Sequence, residues 1–253
     1  MHVVVTGASS GIGAAIAREF GQAGARLTLL ARREALLQEV AGTCGSPCRV
    51  VATDLSDPAS ATHWREEAEA EHGPIDVLVL NAGVEITSRV ASTTLDDGQR
   101  LLAVNLLVPL AITHAVLPAM IERGSGAIVH VASVDGIVTL PGHAWYGASK
   151  AGLASFSEVL HAEVAPHGVH VMPVYPGPVA TPMSDRAYEA YGGRKGLAAL
   201  IPEGSPDVLA RRIRVGVERR HRRVVYPGVF APARWMPAFV RAVYDRATPW
   251  VLP

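Results

Sequence analysis

Short apolar runs rich in Val, Leu and Ile alternate along the chain with longer segments in which apolar residues recur every three or four positions. The short runs predict β-strands over residues 2–6, 26–30, 49–53, 77–80, 127–131, 170–174 and 223–226. The longer segments predict helices between the strands, among them 11–23, 59–71, 97–122 and 145–165. The chain therefore alternates strands with helices along most of its length.

The predicted strand at 77–80 reads Val-Leu-Val-Leu and is apolar at every position. This composition is typical of a strand that is covered on both faces. Strands separated by helices form right-handed βαβ units with a parallel sheet. We therefore expect one doubly wound α/β domain over 1–253, with a mainly parallel seven-stranded sheet and helices on both faces. Within it, 182–206 is expected to form a substrate lid and 227–253 an apolar C-terminal tail.

The 253 residues include 23 basic and 23 acidic side chains, so the formal net charge is zero. Binding to the nucleic-acid backbone needs a surplus of Lys and Arg, and we expect no nucleic-acid partner. Seven arginines cluster between 211 and 223. They are interpreted as a solvated helix face with its loop, the alternative being a surface for an acidic partner.

The chain enters a predicted strand at once, without a charged and apolar leader, and its apolar stretches are interpreted as shorter than the ~20 residues of a membrane span. We therefore expect a cytoplasmic protein with no membrane span. Cys44 and Cys48 are too few to close a zinc site, and no metal is expected. They are interpreted as reduced thiols, with a local disulfide as the alternative.

A glycine-rich turn from Thr6 to Gly13 lies directly between the first predicted strand and the first predicted helix. Glycines allow a sharp bend and a close approach to a pyrophosphate, and the helix N-terminus offers unpaired N–H groups to the phosphates. This strand–turn–helix context predicts a dinucleotide site rather than an ordinary turn. The candidate residues are Gly7, Ser9, Ser10, Gly11, Ile12 and Gly13.

The end of the second predicted strand favours one of the two nicotinamide cofactors. Enzymes that use NAD often place an acidic residue there for the ribose hydroxyls, but this chain has Ala31, followed by Arg32 and Arg33. A guanidinium can bind a 2′-phosphate through two hydrogen bonds. NADP(H) is therefore the expected cofactor, the alternative being that both arginines are solvated surface residues.

Tyr146 and Lys150 are four residues apart at the start of a predicted helix and share one of its faces. A nearby ammonium favours phenolate, so we expect the pKa of Tyr146 to lie below the ~10 of a free tyrosine. Ser133 ends the fifth strand, where its hydroxyl either holds a substrate oxygen or caps a turn. Asn81 follows the fourth strand on the same edge, and Asn105 lies inside the long helix, where the alternative is a satisfied core asparagine.

Together these residues resemble the short-chain dehydrogenases/reductases, a Rossmann-fold family. The resemblance extends from the first strand to about Thr181 and includes the glycine-rich turn, Asp54, Asn81-Ala82-Gly83, Asn105, Ser133, Tyr146-x-x-x-Lys150 and Pro176-Gly177. It implies a catalytic tetrad of Asn105, Ser133, Tyr146 and Lys150. In that tetrad Tyr146 is the acid/base, Ser133 positions the substrate, Lys150 also binds the nicotinamide ribose, and Asn105 holds a water in the proton relay.

The resemblance also implies the remaining cofactor contacts. Asp54 would contact the adenine, Asn81 would line the groove towards the nicotinamide, and Thr181 would reach its carboxamide. The full set beyond the turn is Arg32, Arg33, Asp54, Leu55, Asn81, Ala82, Gly83, Tyr146, Lys150, Pro176, Gly177, Val179 and Thr181. A homodimer or homotetramer, packed through helices 97–122 and 145–165 and the apolar tail, is likewise implied.

The expected activity is hydride transfer between NADP(H) and a small ketone or secondary alcohol. The alternatives are an NADP-binding isomerase or dehydratase and a catalytically silent NADP-binding regulatory protein. The family usually has a small residue two positions after the serine, where this chain has Asp135, which either faces solvent or meets a polar substrate group. Candidate lining residues of the substrate pocket are Glu85, Asp135, His143, Trp145, Tyr188 and Tyr191.

Overall fold

The computed structural model describes residues 1–194 and 202–247, with side chains up to residue 242. Its centre is one sheet of seven strands in the order β3-β2-β1-β4-β5-β6-β7, and every neighbouring pair is parallel. The strands are β1 His2–Thr6, β2 Arg26–Ala31, β3 Cys48–Ala52, β4 Val77–Leu80, β5 Gly126–Val131, β6 Val169–Pro176 and β7 Val224–Tyr226. The predicted doubly wound α/β fold is confirmed, and each strand lies within about two residues of its prediction.

Helices cover both faces of the sheet. They are α1 Gly11–Gln22, α2 Glu34–Thr43, α3 Arg65–His72, α4 Leu95–Leu102, α5 Val108–Arg123, α6 Ala144–Val164, α7 Pro182–Ala190, α8 Pro206–Glu218 and α9 Pro237–Ala247. Side chains of β1 show how the two faces are filled, because successive residues of a strand point to opposite sides. Val3 and Val5 pack in the core under α1, α2 and α8. Val4 packs in the core under α3, α5 and α6.

Two predicted helices differ from the observed ones. The helix expected at 59–71 begins only at Arg65, because the preceding residues form turns in which Asp57 accepts a hydrogen bond from the backbone of Ala59. The helix expected at 97–122 is divided by a π-helical turn at Ala103–Leu107. Pro109 follows this turn and has no N–H to donate to the carbonyl four residues earlier, which interrupts the regular hydrogen-bond ladder.

The segment Leu95–Arg123 is long and apolar enough to cross a membrane by length and composition, with a mean hydropathy of 1.9 in an 18-residue window. The interpretation that the apolar stretches are too short for a span is therefore wrong for this segment. Its α5 packs against the sheet through Ile112, Val116 and Met120, and core helices have the same composition. The expected absence of a membrane span and the cytoplasmic location stay predictions.

The helices predicted to form subunit contacts carry exposed apolar side chains, with Leu107 50% and Val159 56% exposed. The predicted homo-oligomer stays a prediction. In the predicted tail, Trp235, Met236 and Phe239 are exposed, so within one chain they do not pack on the domain. The predicted lid includes α7, and its residues 195–201 lie outside the described ones, as do residues 248–253 of the tail.

Cys44 and Cys48 are free, in agreement with reduced thiols. Several arginines of the basic segment have partners within the chain: Arg214 pairs with Glu19 and Glu218, and Arg223 pairs with Glu158. These ion pairs were not expected from the sequence, and the interpretation of the segment as a solvated helix face with its loop stays a prediction.

Candidate active site

The carboxyl ends of the seven parallel strands meet at one edge of the sheet. The chain order reverses beside β1, which has β2 on one side and β4 on the other, and ligands of open α/β sheets bind at such a switch point. A cavity of about 1270 Å³ opens there. It exceeds the ~300–1,000 Å³ of an ordinary small-ligand pocket and leaves room for a dinucleotide together with a substrate.

Thr6, the last residue of β1, holds the two sides of the switch point together. Its hydroxyl accepts hydrogen bonds from the backbone N–H groups of Asn81 at 2.9 Å and Ala82 at 3.0 Å, which follow β4. The Asn81 amide donates in return to the Thr6 carbonyl at 3.1 Å. These bonds fix the glycine-rich turn relative to the Asn81-Ala82-Gly83 segment.

The glycine-rich turn has a backbone that other residues would strain or block. Gly7 and Gly11 have φ values of +68° and +55°, in the left-handed region that favours glycine. A Cβ atom on Gly13 would lie 2.3 Å from the Gly7 carbonyl oxygen, so only glycine allows α1 to pack against the turn. The turn thus forms a cradle of backbone at a helix N-terminus, which fits the pyrophosphate of a dinucleotide.

Arg33 lies across the outer rim of this cradle. Its guanidinium donates to the hydroxyls of Ser9 at 3.0 Å and Ser10 at 2.9 Å. Arg32 is exposed and lines the same cavity next to Ala31, the uncharged residue that ends β2. A phosphate group at this rim would meet two guanidinium groups and two hydroxyls.

The cavity brings the predicted site residues together, with two exceptions. Its lining includes Gly7, Ser9, Ser10, Gly11, Ile12, Arg32, Arg33, Asp54, Leu55, Asn81, Ala82, Gly83, Ser133, Tyr146, Lys150, Pro176, Gly177, Val179 and Thr181. Gly13 lies behind the turn and shapes it from there. Asn105 is completely buried behind the cavity wall.

Tyr146, Ser133 and Lys150 lie at the inner end of the cavity. The Ser133 hydroxyl and the Tyr146 phenol both line this end of the cavity, and Ser133 donates to the Pro176 carbonyl at 3.4 Å. The Ser133 hydroxyl also accepts from the backbone N–H of Asp135 at 3.1 Å. The Lys150 ammonium donates to the carbonyl of Val131 at 2.9 Å and lies 5.8 Å from the centre of the Tyr146 ring. A substrate oxygen placed between the two hydroxyls could receive a proton from Tyr146.

The electrostatics around Tyr146 differ from the expectation based on Lys150. Burial raises the pKa of Tyr146 above its usual value of about 10, and the carboxylates of Glu85 and Asp135 raise it further, while the nearby Ser133 hydroxyl acts in the opposite direction. Burial also lowers the pKa of Lys150 to about 8. The surrounding side chains therefore keep Tyr146 a neutral phenol, which is the form that donates a proton.

Asn105 holds the backbone of the Gly83-Val84 segment from behind the cavity wall. Its amide donates to the Val84 carbonyl at 2.8 Å and to the Ser149 hydroxyl at 3.2 Å, and its oxygen accepts from the Val84 N–H at 2.8 Å. A Cβ atom on Gly83 would lie 3.3 Å from the Asn105 oxygen and 3.5 Å from the Lys150 ammonium. Glycine at 83 therefore lets this segment lie close to both side chains.

Three further titratable side chains form a chain of contacts beside Tyr146. His143 contacts Asp135 through Nδ1 at 2.7 Å and Glu85 through Nε2 at 3.1 Å, and its ring centre is 5.7 Å from that of Tyr146. Burial would lower the pKa of His143, but the hydrogen bonds with Asp135 and Glu85 outweigh it and raise the pKa to about 10. The imidazole is therefore protonated at neutral pH.

Five of the six candidate lining residues reach the cavity: Glu85, Asp135, His143, Tyr188 and Tyr191. The prediction for Trp145 is wrong, because its ring packs against Gly98 of α4, where a Cβ atom would lie 2.5 Å from it.

Part of the apolar wall of the cavity was not predicted from the sequence. Phe230 packs on Gly177 and lines the cavity, as do Val229, Ala233 and Val240. Phe230 and Val240 were assigned only to a packed tail, and no motif in the sequence marks them as site residues.

Comparison with known proteins identifies relatives of this chain. A family model described as short chain dehydrogenase matches residues 1–192. "Dehydrogenase/reductase SDR family member 7B" from Danio rerio is 34% identical over 263 residues, which cover 97% of this chain and 85% of that protein.

Two solved structures resemble the chain closely in fold. A short-chain dehydrogenase from Sphingobium yanoikuyae in complex with NADPH is 31% identical, with a TM-score of 0.79 and coverage of 97% of this chain and 94% of that chain. A metagenomic short-chain oxidoreductase in complex with NADP is 32% identical, with a TM-score of 0.73 and coverage of 86% and 90%.

The contacts of Asn105 generate a prediction about stability. Asn105→Ala removes two hydrogen bonds from the half-buried N–H and carbonyl of Val84, each of which contributes about 0.5–1.5 kcal/mol. We expect urea unfolding to show a total loss of about 1–3 kcal/mol. Gln99→Ala, which removes an exposed amide from α4, is the matched control and should change the free energy of unfolding by less than about 0.5 kcal/mol. Equal effects of the two substitutions would contradict the role given to Asn105.

Proposed function

The chain belongs to the short-chain dehydrogenase family, and from that premise we propose that it transfers a hydride between NADP(H) and a ketone or secondary alcohol. The observation that carries the proposal is the common cavity of the glycine-rich cradle and the hydroxyl pair of Tyr146 and Ser133. One end suits a dinucleotide, and the other suits an oxygen that exchanges a proton.

In the reductive direction, the carbonyl carbon gains the hydride that NADPH supplies when bound, and the carbonyl oxygen gains a proton. Tyr146 donates that proton, since its surroundings favour the neutral phenol. Ser133 orients the carbonyl oxygen by a hydrogen bond. Lys150 is held by the Val131 carbonyl close to the ring and stabilises the phenolate that forms. In the oxidative direction the same groups act in reverse.

NADP(H), as opposed to NAD(H), is proposed from the rim of the cradle. The side chains there are Arg32, Arg33, Ser9 and Ser10, all suited to a 2′-phosphate. The two related structures described as complexes with NADP or NADPH support the same choice. A repelling carboxylate at the end of β2 is absent, because the position is Ala31.

Two other activities would use the same cavity. An isomerase or dehydratase would return the cofactor unchanged, and a silent regulatory protein would bind it without turnover. The pairing of a neutral Tyr146 with Ser133 and Lys150 favours net redox chemistry. Net oxidation of NADPH by a simple ketone distinguishes the proposed function from both.

The proposed preference for NADP(H) predicts the effect of substituting residues at the rim of the glycine-rich cradle. Ala31→Asp combined with Arg32→Ala adds a carboxylate for the ribose hydroxyls and removes one phosphate contact. We expect the ratio of kcat/KM for NADPH over NADH to fall by about ten- to a hundredfold, because a charge-assisted hydrogen bond contributes about 1.5–3 kcal/mol. Steady-state kinetics with both cofactors measure it. A wild-type enzyme equally efficient with NADPH and NADH would contradict the proposal.

The acid role of Tyr146 predicts a second outcome. Tyr146→Phe removes only the phenolic oxygen and should lower kcat by about 10²–10⁴-fold, the range of general acid–base groups. Cofactor affinity, measured by fluorescence titration, should change little. Lys150→Ala should harm both kcat and cofactor affinity, because Lys150 is assigned to both. Near wild-type turnover of Tyr146→Phe would refute the mechanism.

A further inference from the structure

The contact chain of Glu85, His143 and Asp135 exchanges no proton with the substrate in the reaction proposed above, yet it lies in the same cavity. Nδ1 of His143 lies 2.7 Å from an Asp135 oxygen, and Nε2 lies 3.1 Å from a Glu85 oxygen and 3.0 Å from the Thr87 hydroxyl. Against the effect of burial, the two carboxylates raise the pKa of His143 to about 10, so the ring is an imidazolium at neutral pH. These three side chains carry a net charge of −1, which the nearby Lys150 ammonium balances, and they lie beside Tyr146, whose ring contacts that of His143 edge-on.

Each carboxylate uses one oxygen for His143. Oδ2 of Asp135 and Oε1 of Glu85 make these contacts, and Oε1 also accepts from Thr87 at 3.3 Å. The second oxygens, Oδ1 and Oε2, have no hydrogen-bond partner in the described part of the chain. Both residues line the cavity, and neither oxygen is among the fully enclosed unpaired atoms of the described residues, so both can be reached from the cavity. A hydrogen-bond donor on a bound ligand could pair with them there.

Neighbouring segments hold the backbone at Asp135 and Gly136 in place. The backbone N–H of Asp135 donates to Ser133, and its carbonyl accepts from Thr139 at 2.7 Å. Gly136 packs directly on α6, where a Cβ atom would lie 2.8 Å from the Lys150 carbonyl group. The Asp135 carboxylate is therefore held near the hydroxyl that orients the substrate carbonyl.

We propose that Glu85 and Asp135, held by His143, select substrates that carry a hydrogen-bond donor, a hydroxyl or ammonium group, next to the reacting carbonyl. The inference rests on the proposed ketone reduction and specifies its substrate class. A donor would pair with the second carboxylate oxygens, whereas a substrate carboxylate would bring only further acceptors towards them. The walls beyond this point are apolar, with Phe230 and Val240, and accept the rest of a compact molecule.

A matched set of ketones tests the selection. The set is acetophenone with its α-hydroxy, α-amino and α-methoxy derivatives, and benzoylformate as the carboxylate. The methoxy compound resembles the hydroxy compound in size but cannot donate. We expect kcat/KM with NADPH to be about ten- to a hundredfold higher for the hydroxy or amino ketone than for the methoxy ketone. Benzoylformate should be the poorest substrate. Equal values for the hydroxy, amino and methoxy compounds would overturn the inference.

Substitutions assign the preference to the two carboxylates. Glu85→Gln and Asp135→Asn keep the size of the side chains and remove the charge. We expect each to reduce the donor-over-methoxy ratio at least fivefold while acetophenone turnover changes less. Asp96→Asn removes an exposed carboxylate of α4 and should leave the ratio unchanged. A ratio that survives in Glu85→Gln and in Asp135→Asn, or that falls equally in Asp96→Asn, would overturn the assignment.

A binding measurement separates this inference from the proposed function. In the presence of NADP⁺, α-hydroxyacetophenone should raise the melting temperature of the wild-type protein more than α-methoxyacetophenone does, and the difference should vanish in Asp135→Asn. If no ketone oxidised NADPH but this difference appeared, the proposed reduction would fail and the donor site would stand. If NADPH were oxidised without any preference in either measurement, the donor site would fail and the reduction would stand.

Discussion

The site depends on the hydrogen bonds between the Thr6 hydroxyl and the backbone of Asn81 and Ala82. These bonds join the ends of β1 and β4, where the strand order reverses. Because the glycine-rich turn and the Asn81-Ala82-Gly83 segment start from these two strands, their relative position follows from this junction. The remaining site residues approach the same edge from β5 and α6.

Burial then sets the chemistry of this edge. A phenol, an ammonium, an imidazolium and two carboxylates lie together with little access to water. The carboxylates and the burial disfavour phenolate, and burial also weakens the hold of Lys150 on its proton. In the proposed reduction Tyr146 therefore acts as an acid, and charge that develops on it is stabilised by groups already in place. In the proposed substrate selection the same carboxylates offer acceptors to the substrate, so both proposals depend on Asp135 and Glu85.

Much of the fold could be predicted from the sequence because its signals are local. The strand at 77–80 is apolar at every position, and the glycines at 7, 11 and 13 follow a strand directly, so hydrophobicity and backbone freedom mark both. The sequence could predict that Tyr146, Lys150 and Ser133 lie together because Tyr146 and Lys150 share a helix face and Ser133 ends a strand. These are properties of short segments.

What the sequence did not reveal depends on contacts between distant segments. The π turn before Pro109 places Asn105 against Val84, some twenty residues away in the chain. The contact of Glu85 with His143 joins residues 58 positions apart. Burial of Tyr146, together with the charges of Glu85 and Asp135, raises its pKa, which is opposite to the direction expected from Lys150 alone. Trp145 was assigned to the pocket from its neighbour Tyr146, but helix geometry turns it towards α4.

The central claim is that this cavity moves a hydride to a carbonyl carbon and a proton to its oxygen. The most direct test is reduction of α-hydroxyacetophenone with NADPH that carries deuterium at the transferable position of the nicotinamide, followed by mass spectrometry and NMR of the product. The account predicts a diol with one deuterium on the former carbonyl carbon and one equivalent of NADP⁺ formed. A product without deuterium, or a converted substrate with the cofactor unchanged, would contradict it.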